Sequence, residues 1–225
     1  MKKVLVVGSG AREVAIARCI SQSSIKNSLF CVSKDINPQI FDLCKDYFVT
    51  DLANISDIVS YSRKNKVDFA IIGPENPLAN GIVNELENVG IGCVGPKKEV
   101  ALIETSKTFA RKIIDICCPE KNPQRKEFSS IEGVESFIKQ LGGEYVIKFD
   151  GLMGGKGVRV SGEHLKNIDE GVAYANEIIN IGGSFLIEEK LVGEEFSLMS
   201  FVDGKVCKHM PVVQDHKRAY EGDTG

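Results

Sequence analysis

The residues best suited to chemistry stand in one run: Val146-Ile147-Lys148-Phe149-Asp150-Gly151-Leu152-Met153-Gly154-Gly155-Lys156-Gly157-Val158. An apolar strand closes on a lysine, a loop with four glycines and a second lysine follows, and another strand begins. Glycine has no Cβ, so such a loop can lay its amides against polyphosphate oxygens while Lys148 and Lys156 supply compact positive charge. The loop differs from a Walker A loop, because Gly157 rather than Ser or Thr follows Lys156 and a strand rather than a helix comes next. Lys148, closing an apolar strand, is poorly explained as a solvated charge. Further on, the apolar Phe185-Leu186-Ile187 runs into Glu188-Glu189-Lys190-Leu191-Val192-Gly193-Glu194-Glu195. A strand end facing a cleft offers amide and carbonyl to a purine edge, and a carboxylate just beyond it can take ribose hydroxyls. A charged hairpin explains the same residues equally well.

An earlier loop, Gly8-Ser9-Gly10-Ala11-Arg12-Glu13, follows the strand KVLVV and opens a helix. Three readings stay open: a tight turn alone, a dinucleotide loop with Asp35 as the ribose acid, or a phosphate or substrate loop to which Arg12 adds a fixed donor. Glu13 stands where a dinucleotide loop would carry its third glycine.

The elements that must position these residues are legible from periodicity. Over the first hundred positions, β-branched runs (KVLVV, LFCV, YFV, DFAIIG, GCVG) alternate with helical patterns starting near Ala11, Ile55 and Leu78. That is the rhythm of a parallel sheet with helices on both faces. A boundary is expected between Lys97 and Ser106, giving domains 1–104 and 105–225. KTFARKIIDI then predicts a helix, PEKNPQRKEF a connector, Ile131 to Gln140 and Ile168 to Ile179 helices, and EYVIKFDG, VRVSG and SFLIEEKL strands. The closing segments EEFSLMSFVDG and KVCKHMPVV predict consecutive strands in hairpins of an antiparallel sheet, separated by GEE and by the turn Asp203-Gly204.

The 225 residues are 43% hydrophobic and 26% charged with a net charge of -3, which fits a folded chain and leaves nucleic acid without a basic surface. Seven scattered cysteines, none in CxxC spacing, read as reduced core residues of a cytoplasmic protein rather than zinc ligands or disulfides. MKKVLVVG is too short an apolar run for a signal peptide, and no membrane partner is expected.

Lys148, the DGLMGGKGV loop and EEKLVGEEF, in this order and spacing, resemble the ATP-grasp fold. The chain is similar in particular to the phosphoribosylamine–glycine ligase family in its archaeal form. The family's GSGGREHA-like opening resembles Gly8 to Ala15, its IGPExPL matches Ile72 to Leu78, its GSKxFxR-like stretch matches Thr105 to Arg111, and its QDHKR matches Gln214 to Arg218. The resemblance covers nearly the whole chain. It implies an α/β fold, with an N-terminal Rossmann-like pre-ATP-grasp domain followed by the first part of an α+β ATP-grasp domain. It further implies Lys107, Lys148 and Lys156 on ATP phosphates, Gly154, Gly155 and Gly157 in a lid, Glu188, Glu189, Lys190 and Leu191 at adenine, and Glu195 at the ribose. Gly8, Gly10, Arg12, Glu13, Pro74, Glu75, Asp215, His216, Lys217 and Arg218 would face phosphoribosylamine or glycine. Val14 stands where the family carries histidine.

The chemistry implied is stepwise. Glycine's carboxylate takes the γ-phosphoryl of ATP to give glycyl phosphate, and the amine of 5-phosphoribosylamine displaces phosphate. Lys148, Lys156 and Arg218 would carry the catalysis by positioning and charge neutralisation, with His216 either a general base or a substrate contact. ATP with Mg2+ or Mn2+ is expected, acting on small molecules, in a monomer or weak homodimer. Family members continue past the equivalent of Gly225 with the metal ligands, so this chain alone is expected to hold no metal, to bind ATP weakly and to be inactive. Another ATP-grasp carboxylate–amine ligase and an inactive nucleotide-binding fragment are the alternatives.

Overall fold

The structure is a computed structural model that describes residues 1–153, 156–214 and 220–221. The chain forms two compact units, Met1–Glu189 and Lys190–Gly225. In the first, strands β1 (Lys2–Val7), β2 (Asn27–Ser33), β3 (Cys44–Val49), β4 (Phe69–Ile72) and β5 (Gly92–Val94) form a parallel sheet in the order β3-β2-β1-β4-β5. Consecutive residues of its central strands enter opposite cores. Leu5, Val7, Phe30 and Val32 pack with Ile58, Ile82 and Leu86, whereas Val4, Val6, Leu29 and Cys31 pack with Ala17 and Ile40. Helices α1 (Ala11–Ser21) and α2 (Pro38–Phe41) cover one face, and α3 (Ile55–Asn65) and, further along, Ile82–Asn88 cover the other. Burial on both faces is why these strands read as unbroken apolar runs, each fully buried side chain contributing roughly 1.5–3 kcal/mol.

The helix expected from Leu78 is two short ones, α4 (Glu75–Ala79) and α5 (Ile82–Asn88), separated by Gly81 in a left-handed conformation that stops the first. The expected boundary segment is itself helical, as α6 (Lys98–Thr105), whose first amide is accepted by Asn84. Helix α7 (Lys107–Cys117) follows directly.

A four-stranded antiparallel sheet in the order β6-β9-β7-β8 is made by β6 (Arg125–Phe128), β7 (Tyr145–Phe149), β8 (Val158–Val160) and β9 (Phe185–Glu189). The stretch expected as a connector thus ends in an edge strand. Only Phe128 of its RKEF is buried, and a charged edge strand carries little apolar signal. Tyr145, Ile147, Phe128, Phe185 and Ile187 pack against α8 (Val134–Gln140) and α9 (Ile168–Asn180). The opposite face carries Lys148 and Glu188, because Val146 pairs with Glu188 and Lys148 with Leu186 across β7 and β9.

In the second unit, β10 (Ser200–Val202) and β11 (Cys207–His209) form an antiparallel hairpin at the expected Asp203-Gly204 turn. Asp203 Oδ1 accepts from the amides of Lys205 and Val206 at 2.9 and 2.8 Å. All seven cysteines are free, but Cys19, Cys117 and Cys207 are exposed rather than in a core, since their apolar neighbours face solvent or the other side of their elements. Among the described residues no helix is long and apolar enough to cross a membrane.

Candidate active site

Within the first unit, Lys107, Arg111, Lys148 and Glu188 line one cleft of about 670 Å³, together with Glu75, Glu104, Gly151, Leu152, Met153 and Gly157. The sheet explains the placement: its apolar face is spent on α8 and α9, so polar residues of β7 and β9 remain for the other face. Helix α7 brings Lys107 and Arg111 to it, four residues apart and therefore one turn apart on the same side.

Glu188 is only 2% exposed and lies between two cations. Arg111 donates from Nε to Oε1 at 2.6 Å and from Nη2 to Oε2 at 2.7 Å, and Lys148 Nζ donates to Oε2 at 2.6 Å. Burial alone pushes the Glu188 carboxyl up, but the Arg111 bonds and the adjacent Lys148 ammonium outweigh it and hold the group below its ordinary value. Lys107 donates to the Gly151 carbonyl at 3.0 Å. Half-burial pushes its ammonium down, and the nearby Asp150 carboxylate offsets this in part. In this lining three cations face one buried carboxylate already bound by two of them and the more exposed Glu75 and Glu104, so the ammonium and guanidinium groups are the donors it offers an anion.

The glycine loop is anchored at its first residue. Asp150 accepts from the Thr108 amide at 3.2 Å and from Ser106 Oγ at 3.3 Å, and Ser106 Oγ caps the Phe109 amide at 3.1 Å. A carboxylate on the opening turn of α7 satisfies donors the helix leaves free and interacts favourably with its dipole. Gly151 then has φ +156°, and a Cβ there would lie 2.8 Å from the Phe149 ring, so the loop leaves the strand only through glycine. Gly157 also lines the cleft, and Lys156 is exposed on the loop.

The first glycine loop works differently. Glu13 is buried, and its Oε2 accepts from the Gly10 amide at 2.5 Å. Added Cβ atoms at Gly8, Gly10 and Gly73 would meet Glu13 at 2.9, 2.9 and 1.9 Å. These glycines therefore cradle a carboxylate of the chain itself, which takes the amide a phosphate would need. Arg12 donates to the Gly73 carbonyl and, with both Nη atoms at 3.1 Å, to Glu75, joining the ends of β1 and β4. Strand order reverses between these strands, the usual ligand crevice of such sheets. Pro74 caps α4, and Glu75 reaches the cleft lining.

The structure therefore gathers Lys107, Lys148, Gly157, Glu188 and Glu75 into one lining. Glu189 instead accepts from the Gln124 amide at 2.9 Å and holds the edge strand β6. Lys190, Leu191 and Glu195 belong to the second unit. Gly154, Gly155, Asp215, His216, Lys217 and Arg218 lie outside the described residues. Arg111 was passed over by sequence reasoning. Its signal was available in the i, i+4 spacing from Lys107. Among the described residues no group of three or more His, Cys, Asp or Glu could hold a metal ion.

Residues 2–104 match the family model described as phosphoribosylglycinamide synthetase, N domain, and residues 105–225 match phosphoribosylglycinamide synthetase, ATP-grasp (A) domain. The chain is 43% identical over 222 residues to a phosphoribosylamine–glycine ligase of Methanococcoides burtonii, covering 99% of this chain and 51% of that one. It is 43% identical over 228 residues to one of Pyrococcus horikoshii, covering 99% and 50%. The crystal structure of a Thermotoga maritima phosphoribosylamine–glycine ligase superposes with a TM-score of 0.77 at 26% identity, over 99% of this chain and 52% of that one. An ADP complex of an N5-carboxyaminoimidazole ribonucleotide synthetase shares the fold, with a TM-score of 0.71 at 17% identity, over 94% and 53%. The chain spans about half the length of the curated relatives it matches.

Proposed function

Because this chain belongs to the phosphoribosylglycinamide synthetase family, whose ATP-grasp domain matches residues 105–225, we propose that it takes part in the ATP-dependent ligation of glycine to 5-phosphoribosylamine. The reaction passes through glycyl phosphate and yields glycinamide ribonucleotide, ADP and phosphate for purine biosynthesis. The observation that carries the reading is the convergence of Lys107 and Lys148 on one cleft, with a glycine loop tied to the helix that bears Lys107. In this reading the domains divide at 104/105. Lys107, Lys148 and Lys156 neutralise the phosphates, the loop through Gly154, Gly155 and Gly157 closes over them, and Glu188, Lys190 and Leu191 with Glu195 hold the nucleoside. The Gly8 to Glu13 loop, Pro74 and Glu75, with Asp215 to Arg218, face the phosphoribosylamine and glycine. Mg2+ or Mn2+ accompanies ATP, and the protein acts on small molecules in the cytoplasm as a monomer or weak homodimer, without nucleic acid or membrane.

Physically the residues named need supply no nucleophile. Glycine's carboxylate and a γ-phosphate repel each other, so the barrier falls when fixed cations offset the charge and hold the reactants in line. ATP is expected to bind this chain, if weakly, and Lys148→Met to weaken binding roughly tenfold or more. Over the length that its relatives have, ADP release is expected to require both glycine and 5-phosphoribosylamine. ATP binding indifferent to Lys148→Met, or ADP release indifferent to glycine, overturns the reading.

A further inference from the structure

The pairing of Glu188 is asymmetric in a way that assigns a task to Arg111. Both carboxylate oxygens are taken by the guanidinium, Oε1 by Nε and Oε2 by Nη2, whereas Lys148 shares Oε2 alone. A two-point fork fixes the plane of a carboxylate, and a single ammonium contact does not. The direction from which Oε2 presents itself to Lys148 is therefore set by Arg111. Lys148 and Arg111 side chains remain 25% and 22% exposed, so both can turn toward a ligand in the cleft, while Glu188, at the floor of the same lining, is 2% exposed. Were Lys148 to turn from Glu188 to a phosphate oxygen, Glu188 without Arg111 would be an uncompensated buried anion beside a polyanion, which is strongly disfavoured.

We propose that Arg111 is a positioning residue for Lys148: it holds Glu188 so that the ammonium is aimed into the cleft, and it keeps Glu188 compensated when Lys148 engages phosphate. The proposal rests on the nucleotide reading of the cleft. Among the described residues, the charged groups that share the cleft with Lys148 and Glu188 are Lys107 and Arg111 on α7, Glu104 on α6 and Glu75 on α4, with Asp150 beside Lys107.

The test is acetylation of Lys148 by an amine-reactive reagent, read by mass spectrometry against time and then against ATP concentration. In Arg111→Met the loss of a neighbouring cation leaves Lys148 as the sole partner of Glu188. Its labelling curve is expected to slow several-fold, because the ammonium then carries the whole pairing of Glu188, and roughly tenfold more ATP is needed to protect it. Arg111→Lys, which keeps the charge but not the fork, is expected to restore the labelling curve and only part of the ATP protection. A residue that merely braces the fold would lower the melting temperature and leave the labelling curve where it was, and that result overturns the proposal. Unchanged ATP protection in Arg111→Met with an intact fold overturns it as well. Absence of ATP protection at Lys107 and Lys148 in the unsubstituted chain removes the nucleotide reading and the proposal with it, and is told apart because it shows before any substitution is made.

Discussion

Replacing Glu188 by Gln removes one charge from the middle of the cleft and keeps the shape of the side chain. The carboxylate accepts three charge-assisted bonds, at 2.6, 2.7 and 2.6 Å, and is 2% exposed. An amide has one acceptor for two cations and turns an NH2 toward one of them. Breaking a buried pair costs about 3–5 kcal/mol when the orphaned charge stays dry. Arg111 and Lys148 retain 22% and 25% exposure and can rehydrate, which lowers the expected loss to about 2–3 kcal/mol. Urea unfolding at neutral pH measures it. The pH dependence supplies a second constraint. Burial raises the Glu188 carboxyl and the bonds from Arg111 and Lys148 lower it further, to below the ordinary 4.5. Its contribution is therefore fully present above 4.5 and is lost as pH falls through the depressed folded value. The gap between the parent and Glu188→Gln should be complete near pH 7 and shrink below about pH 4. Equal stability at neutral pH, or a gap that persists unchanged in acid, refutes the reasoning. If the cluster serves ligand binding rather than stability, the triple change Arg111→Met, Lys148→Met and Glu188→Leu should recover most of the lost stability while abolishing ATP protection of Lys107.

Two further expectations follow from the loops. Gly73→Ala sets a Cβ 1.9 Å from Glu13 Oε1, while the other oxygen is held at Gly10. It should cost roughly 1–3 kcal/mol in thermal unfolding. Combined with Glu13→Ser it should cost less than the sum of the two single changes, and strict additivity would refute the cradle. Asp150→Asn withdraws the carboxylate from the opening turn of α7, at about 0.5–2 kcal/mol. Hydrogen exchange at Thr108 and Phe109 should quicken, and unchanged rates would show that the anchor carries no strain-bearing role.

What was readable in advance follows from burial. The strands of the parallel sheet are apolar on both faces, and Asp203-Gly204 is strong turn chemistry, so both were visible as local pattern. Arg125–Phe128 was not, because an edge strand with one buried residue carries too little alternation to stand out from a loop. Helix α6 was masked because Val100, Leu102 and Ile103 are exposed, so its pattern does not mark a core face. At the cleft, Lys148 and Glu188 were singled out as residue types. Their ion pair was not, since it joins neighbouring strands diagonally, at a register fixed only by pairing. Glu189 shows the converse: the same residue type one position on points to the other side of β9 and holds an edge strand.

The two glycine loops divide along the same line of charge. Glycine by itself licenses close backbone approach, and what approaches is decided by the sign of the neighbouring side chains. In the first loop Glu13 fills the space that Gly8, Gly10 and Gly73 leave, and its carboxylate takes the Gly10 amide. A phosphate there would have to displace a buried anion, so recognition at this loop falls to Arg12 and Glu75 at the strand ends instead. Beside the second loop, Lys107 and Lys148 line the cleft, and the buried anion next to Lys148, Glu188, is already bound on both oxygens. The lining holds three cations and three carboxylates, but Glu188 is bound on both oxygens and Glu75 is paired with Arg12, so of the two loops it is the second whose surroundings favour an incoming triphosphate.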